Sequence, residues 1–469
     1  MIKPYKILLL FTIVLMVLTT LVFTFPKKGI NLLGFQFSFV NFSDYVPDVE
    51  YVVTNEYAAK KTNQNLSKPA VSVLDTNLLQ QDSLLANDFI IHPSGFENSL
   101  YLFYKKLQNI QDQKQSIRIV HFGDSQIEGD RISDVLRECL QKQFGGCGIG
   151  FMPVSESNFG KVNITSTAEG WEKHQLFGKK LEDPMNSFGF LGYYHRIAAD
   201  QNHAWVKFKG NYMGGKNVQE FQKINLMLSN VSQPVNITLK TDTGIIETMS
   251  LLKQDGVYMK TWKLDGSLKN YYEIDFDSQN SPDVLGIALD CEDGISVDNI
   301  PLRGSSGISF STQNKETLKK QFAHLNVGLI IYQFGVNVVP YVVNDYTYYE
   351  RMINKQLALL KEILPDAAIL VVGVSDMSRK VEEQYESYPN ITKIREAQMR
   401  AAKKNNCAFW DLYNVMGGEN SMINWVNASP SLAEKDYTHF NRRGAKIVGK
   451  KLFNAIYTDY QEYETLNVE

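Results

Sequence analysis

Ile117-Arg118-Ile119-Val120-His121-Phe122-Gly123-Asp124-Ser125 is an apolar run that stops at a glycine and then presents an acid and a hydroxyl. The β-branched and aromatic residues of 117–122 suit a strand buried on both faces, as in a parallel sheet. Directly after it, Ile127 to Phe144 carries a helical pattern that Gly145-Gly146 closes. Strand, turn and helix in that order open an α/β unit. Asp124 and Ser125 then stand at the carboxyl end of the strand, where open α/β sheets build their sites.

The same alternation resumes late in the chain. Val327 to Phe334 reads as a strand, Tyr346 to Leu364 as a helix ended by Pro365, Ala367 to Val374 as a strand, Ile391 to Asn405 as a helix, Cys407 to Leu412 as a short strand, and Arg442 to Tyr457 as a closing helix. Between the two α/β parts, six short β-leaning runs from Ile224 to Leu289 are separated by turn residues such as Asp255-Gly256 and Asp265-Gly266. That spacing predicts an antiparallel sandwich. The expected organisation is an α/β domain over 96–158 and 303–469, interrupted by a β-sandwich over 159–302. A connector over 29–95 precedes it.

The 469 residues are 44% hydrophobic and 21% charged, an ordinary globular balance. Net charge is −3, and Lys3, Lys6, Lys27 and Lys28 make the first 28 residues the basic part. The remaining body is mildly acidic, which argues against binding a phosphate backbone, so no nucleic-acid partner is expected. Four cysteines are too few for a disulfide scaffold. Cys139 and Cys147 are the only pair close in sequence, and plain buried thiols are favoured over a bridge between them. Ile7 to Phe25 is a run of 19 uncharged residues, about 28 Å as a helix, close to the thickness of a bilayer core. No small-residue cleavage pattern follows it. It reads as an uncleaved transmembrane signal anchor within a 1–28 tip, with the membrane as its partner and the body exported.

Four short stretches can carry chemistry. Ser125 can attack as a nucleophile while its N–H, at a helix start, donates to a developing anion. Asp436-Tyr-Thr-His439 precedes the closing helix, and its spacing lets the carboxylate reach Nδ1 and leaves Nε2 free to take a proton. Gly335-Val-Asn337 ends a strand and can aim an amide across the sheet edge. Gly304-Ser-Ser-Gly307 follows the β-region, and a glycine there lets a backbone N–H approach a ligand closely. Taken singly, each also reads as a cap, turn or hinge.

In this order, these four blocks resemble the SGNH (GDSL-like) esterase superfamily. The resemblance implies a flavodoxin-like three-layer α/β hydrolase domain with no metal and no cofactor. It implies that Ser125 is the nucleophile, His439 the general base and Asp436 the residue that orients it. It assigns the oxyanion hole to the N–H groups of Ser125 and Gly307, with Gly304 as the alternative glycine, and to the side chain of Asn337. Val338 departs from the pattern, because many members have Asp there. The β-insertion is similar to the carbohydrate-binding-like domain of bacterial peptidoglycan O-acetylesterases. It implies an O-acetylated polysaccharide or peptidoglycan as substrate and a body held outside the bacterial inner membrane by one span. Trp425 is the expected sugar-stacking residue. The stretch around Ser125 and the N-terminal anchor are also similar to SGNH proteins that pass acyl groups to a glycan beside a membrane-bound O-acyltransferase. A non-catalytic glycan-binding protein is the third expectation.

Overall fold

The computed structural model describes residues 30–32, 35–37, 89–93, 99–110, 112–155, 164–176, 188–210, 220–265 and 270–466. The expected anchor Ile7–Phe25 lies outside the described residues. Among the described residues no helix is long and apolar enough to cross a membrane. The chain divides into two units, 1–72 and 73–469. In the first, Ile30–Leu32 and Phe35–Phe37 pair as an antiparallel hairpin.

The second unit is built on a parallel sheet. Its strands run in the order Gly294–Pro301, Ser116–Gly123, Val327–Gln333, Ala368–Val372 and Ala408–Trp410, with Ile90–Ile91 added antiparallel at the far edge. For the five parallel strands this is the doubly wound 2-1-3-4-5 order of flavodoxin-like proteins. Alternate residues of each strand feed opposite cores. Ile117, Ile119, Leu329 and Ile331 pack with the helices Tyr101–Gln108, Ser133–Phe144 and Arg442–Leu466. Val120, Phe122, Ile330 and Tyr332 pack with Lys315–Phe322, Thr347–Ile363 and Ile391–Lys404.

Two antiparallel sheets form the sandwich. One has the order Gln254–Lys263, Lys223–Val231, Asp283–Asp290, Tyr193–Ile197, Trp171–Gln175. The other has the order Gly244–Leu251, Val235–Thr241, Tyr272–Asp277, His203–Gly210, Ile164–Glu169. Ile224, Leu226 and Leu228 of the first meet Val206, Phe208, Ile237 and Ile274 of the second. Tyr194 of the first sheet, Phe188 and Phe190 in the turn before it, and Phe151, in the Gly150–Met152 strand paired to that sheet, reach into the core that holds Val120 and Phe122. The β-region is therefore packed onto one face of the parallel sheet.

Three details depart from the sequence expectations. Gly294–Pro301, expected inside the insertion, pairs in parallel with Ser116–Gly123 along its whole length. Its polar residues hide its strand character, yet Ser296, Asp298 and Asn299 are all buried, and Asn299 Nδ2 donates to Ile127 O at 2.9 Å and to Ser133 Oγ at 2.8 Å. Conversely, Gly150–Met152, expected in the α/β domain, pairs with Asp283–Asp290 of the sandwich. The expected helix from Ile127 is a 3-10 turn over Ser125–Asp130, broken at Gly129 with φ of 70°, before the α-helix starts at Ser133.

The cysteine reading is also corrected. Cys147 is bridged to Cys291, 144 residues away, while Cys139 and Cys407 are free thiols. Proximity along the chain was a poor guide, because the 145–150 segment folds back beside the end of the Asp283–Asp290 strand. At Gly148, with φ of +73°, an added Cβ would lie 2.1 Å from Leu289 O.

Arg118 sits at the same junction. Its guanidinium donates to Asp290, from the sandwich, and to Asp298, from the parallel sheet, both at 2.5 Å. Asp290 also accepts from Asn225 Nδ2 at 2.9 Å, and Asp298 from the Phe151 amide at 2.8 Å. Removing one member of a buried ionic cluster leaves charges without a counterion, which costs about 3–5 kcal/mol. Arg118→Met is therefore expected to lower the unfolding free energy by that amount in urea titrations. An unchanged midpoint would remove this cluster from the account of how the two sheets are joined.

Candidate active site

Ser125 follows the Ser116–Gly123 strand and begins the 3-10 turn. Asn337 lies just beyond the neighbouring Val327–Gln333 strand, and Gly304 and Gly307 lie just beyond Gly294–Pro301. Three adjacent parallel strands therefore deliver the Gly-Asp-Ser block, the asparagine block and the glycine block to one rim of the sheet. That rim flanks the point where the strand order reverses.

His439 reaches the same rim from the far end of the chain. Ser125 Oγ is 2.7 Å from His439 Nε2, and His439 Nδ1 is 2.6 Å from Asp436 Oδ2. The other Asp436 oxygen accepts the amides of Thr438 at 2.9 Å and His439 at 3.0 Å, so the carboxylate is held within its own turn. Burial pushes the Asp436 carboxyl up, but hydrogen bonds from the His439 ring and these two amides outweigh it and hold the group below its ordinary value. An ionised Asp436 favours the proton on Nδ1, which leaves the Nε2 lone pair facing the serine hydroxyl.

Two side chains absent from the sequence reading hold the turns together. Gln126 Nε2 donates to Thr438 O at 2.7 Å and to Ser375 Oγ at 3.1 Å, while its Oε1 accepts the Phe440 amide at 3.3 Å. Arg131 donates to Ser125 O at 2.7 Å and to Phe440 O at 2.9 Å. Nothing in the sequence marks either one except closeness to Ser125. Asp124 caps the turn: its carboxylate accepts the amides of Gln126 at 3.0 Å and Gly335 at 3.2 Å, tying the Gly-Asp-Ser block to the asparagine block. Burial pushes this carboxyl up to about 6, against the pull of those amides.

The oxyanion assignments fare unevenly. Asn337 Nδ2 donates to Ser305 O at 2.9 Å, so it adjoins the glycine block with one N–H still to place. The Gly307 amide instead donates to Ser305 Oγ at 3.0 Å, and Gly307 is buried against Tyr332 and Phe334. The preference for Gly307 as a donor is corrected on that ground. Gly304 is the exposed glycine of the pair, with φ of +78° and nothing within 4 Å of where a Cβ would stand.

Trp425 is not a sugar platform. It is 7% exposed, donates to Met416 O at 3.1 Å and packs on Phe440 at 5.3 Å. It faces inward from the short helix Ser421–Asn427, behind the His439 turn. His121 is buried on the central strand between Gln333 Oε1 at 3.0 Å and Ser133 Oγ at 2.9 Å, and burial lowers it to about 4. Among the described residues no group of three His, Cys, Asp or Glu side chains is placed to hold a metal ion.

No protein-family model and no curated protein matches the chain. Among solved structures, a peptidoglycan O-acetylesterase aligns with a TM-score of 0.64 at 20% identity, over 80% of this chain and 99% of its own. That likeness is one of fold, and the fold is the mixed α/β arrangement expected of an SGNH hydrolase. An acetyl xylan esterase (TM-score 0.26, 17% identity, 34% of this chain and 81% of its own) also matches, as does a salicylyl-acyltransferase of a tetracycline biosynthetic pathway (TM-score 0.28, 12% identity, 65% and 96%). At those scores neither carries weight.

Two outcomes follow from the geometry. Gln126→Ala frees the Thr438–Phe440 backbone and should lower kcat on an ester by about tenfold or more, since small misplacements of a catalytic group are costly. A kcat equal to the parent's would show that the His439 turn needs no such clamp. Between its ordinary value and about 6, folded Asp124 keeps a proton that the unfolded chain has lost. Ionising it therefore costs stability as pH rises through that window. Asp124→Asn should flatten the fall in urea midpoint between about pH 4 and 6; an identical slope would contradict the assignment.

Proposed function

We propose that this chain is a serine esterase that removes O-acetyl groups from a cell-envelope or extracellular glycan. The observation that carries the reading is the continuous Ser125–His439–Asp436 hydrogen-bond chain at the rim of the parallel sheet. As Ser125 Oγ attacks the acetyl carbonyl, its proton passes to His439 Nε2. Positioned base catalysis of this kind is worth about 10²–10⁴ in rate. Charge builds on the carbonyl oxygen, and the Ser125 N–H, the Asn337 side chain and the Gly304 end of the glycine block are the donors proposed to receive it. His439 then gives its proton to the departing sugar hydroxyl, leaving an acetyl-serine. Water, deprotonated by the same imidazole, releases acetate and restores Ser125. Asp436 stays ionised throughout and holds the tautomer.

The acetylated-glycan part rests on the fold shared with a peptidoglycan O-acetylesterase over nearly all of that protein. The proposed location, outside a bacterial inner membrane and tethered by Ile7–Phe25, rests on that apolar run alone. A sugar hydroxyl in place of water would turn the same intermediate to acyl transfer.

Ser125→Ala should abolish acetate release from O-acetylated peptidoglycan, a loss of about 10³-fold or more. Asn337→Ala should cost about 10²–10³ in kcat. Acetate release that survives in the serine variant would overturn the reading. Acetyl groups recovered on added sugar, with little free acetate, would redirect it to the transferase.

A further inference from the structure

A small hairpin, Ser378–Val381 paired with Gln384–Ser387, interrupts the connection between the Ala368–Val372 strand and the Ile391–Lys404 helix. It therefore springs from the same carboxyl edge of the sheet as Ser125. The hairpin is joined to the His439 turn directly. The Ser378 amide donates to Tyr437 O at 3.0 Å, and the rings of Tyr385 and Tyr437 stack with centroids 3.6 Å apart and planes within 12°. Tyr437 lies between Asp436 and His439 and holds a left-handed φ of 54°, unusual for an aromatic residue. Its base is anchored: Ser387 Oγ donates to Asp376 at 2.7 Å and accepts the Asn420 amide at 2.7 Å.

What this rigid support presents is a ring. Tyr385 is 40% exposed, and Tyr437 is its one ring partner among the described residues. Lys380 stands directly across the hairpin from it, and Arg379 pairs with Glu386 on the next rung at 3.0 Å. A flat apolar face with charged neighbours, locked beside a catalytic turn, suits a pyranose ring, whose C–H face is apolar and whose rim is hydroxyl.

Building on the esterase reading above, we propose that Tyr385 is a specificity-determining residue that stacks a sugar ring of the acetylated glycan next to the reacting ester. It selects glycan esters over small esters and takes no part in the bond changes. In this role it succeeds Trp425, which is buried.

The test compares the full-length protein with Tyr385→Ala and Tyr385→Phe on soluble O-acetylated peptidoglycan fragments and on 4-nitrophenyl acetate. It adds the affinity of each for the fragments in a Ser125→Ala background. Tyr385→Ala should lower the ratio of kcat/KM on fragments to that on 4-nitrophenyl acetate by about three- to tenfold, chiefly through KM. Tyr385→Phe should retain the ratio. An unchanged ratio overturns the proposal, whether both activities persist or both fall together through kcat; the latter would make Tyr385 a prop for His439. If the parent hydrolyses neither substrate, the esterase reading fails, and fragment affinity alone decides the subsite. Binding weakened about three- to tenfold by Tyr385→Ala supports it, and equal binding, including none in either protein, overturns it.

Discussion

A hydroxyl and an imidazole 314 residues apart in the chain are held at 2.7 Å, and the rest of the candidate site depends on that approach. The bond itself is too weak to gather its own partners. It exists because the helix Ser133–Phe144, which follows the Ser125 turn, and the last helix are packed on one another through Ile132, Leu136, Leu140, Val448 and Leu452 in a common core. Gln126 and Arg131 then convert that packing into register: Gln126, within the Ser125 turn, bonds to the backbone on both sides of His439, and Arg131 bonds to Ser125 O and Phe440 O together. Asp124 does the same on the other side, toward Gly335.

The sandwich shares this scaffold. One of its sheets contributes aromatic side chains to the core that also holds Val120 and Phe122 of the Ser116–Gly123 strand. Arg118, on that same strand, carries two carboxylates, one from each architecture, and the Cys147–Cys291 bridge closes the crossing nearby. The sandwich base is thus packed against the Ser116–Gly123 strand that leads to Ser125, so a shift in one has a route to the other. Packed interiors transmit such shifts because they have little free volume.

Local rules that act within a few residues were readable directly. The apolar strand ending in Gly-Asp-Ser, the alternation of strands and helices, the short β-runs of the insertion and the three-residue reach from Asp436 to His439 all follow from side-chain period and turn chemistry. Long-range partners were not. Gly294–Pro301 reads as polar until its neighbours are known, Cys147 finds Cys291 rather than Cys139, and Gln126 looks like any surface glutamine. Trp425 shows the converse: expected to stack a sugar, it is turned inward by helix Ser421–Asn427.

By itself, then, the sequence determined the class of the domain, the presence of an insertion and the residue types able to perform acyl chemistry, because these depend on periodicity and on functional groups. Only the tertiary structure decided which glycine amide was already occupied, which aromatic faced solvent, which cysteines met and what braced the imidazole. Each of those is a question of distance between segments remote in the chain, and no local preference encodes such a distance.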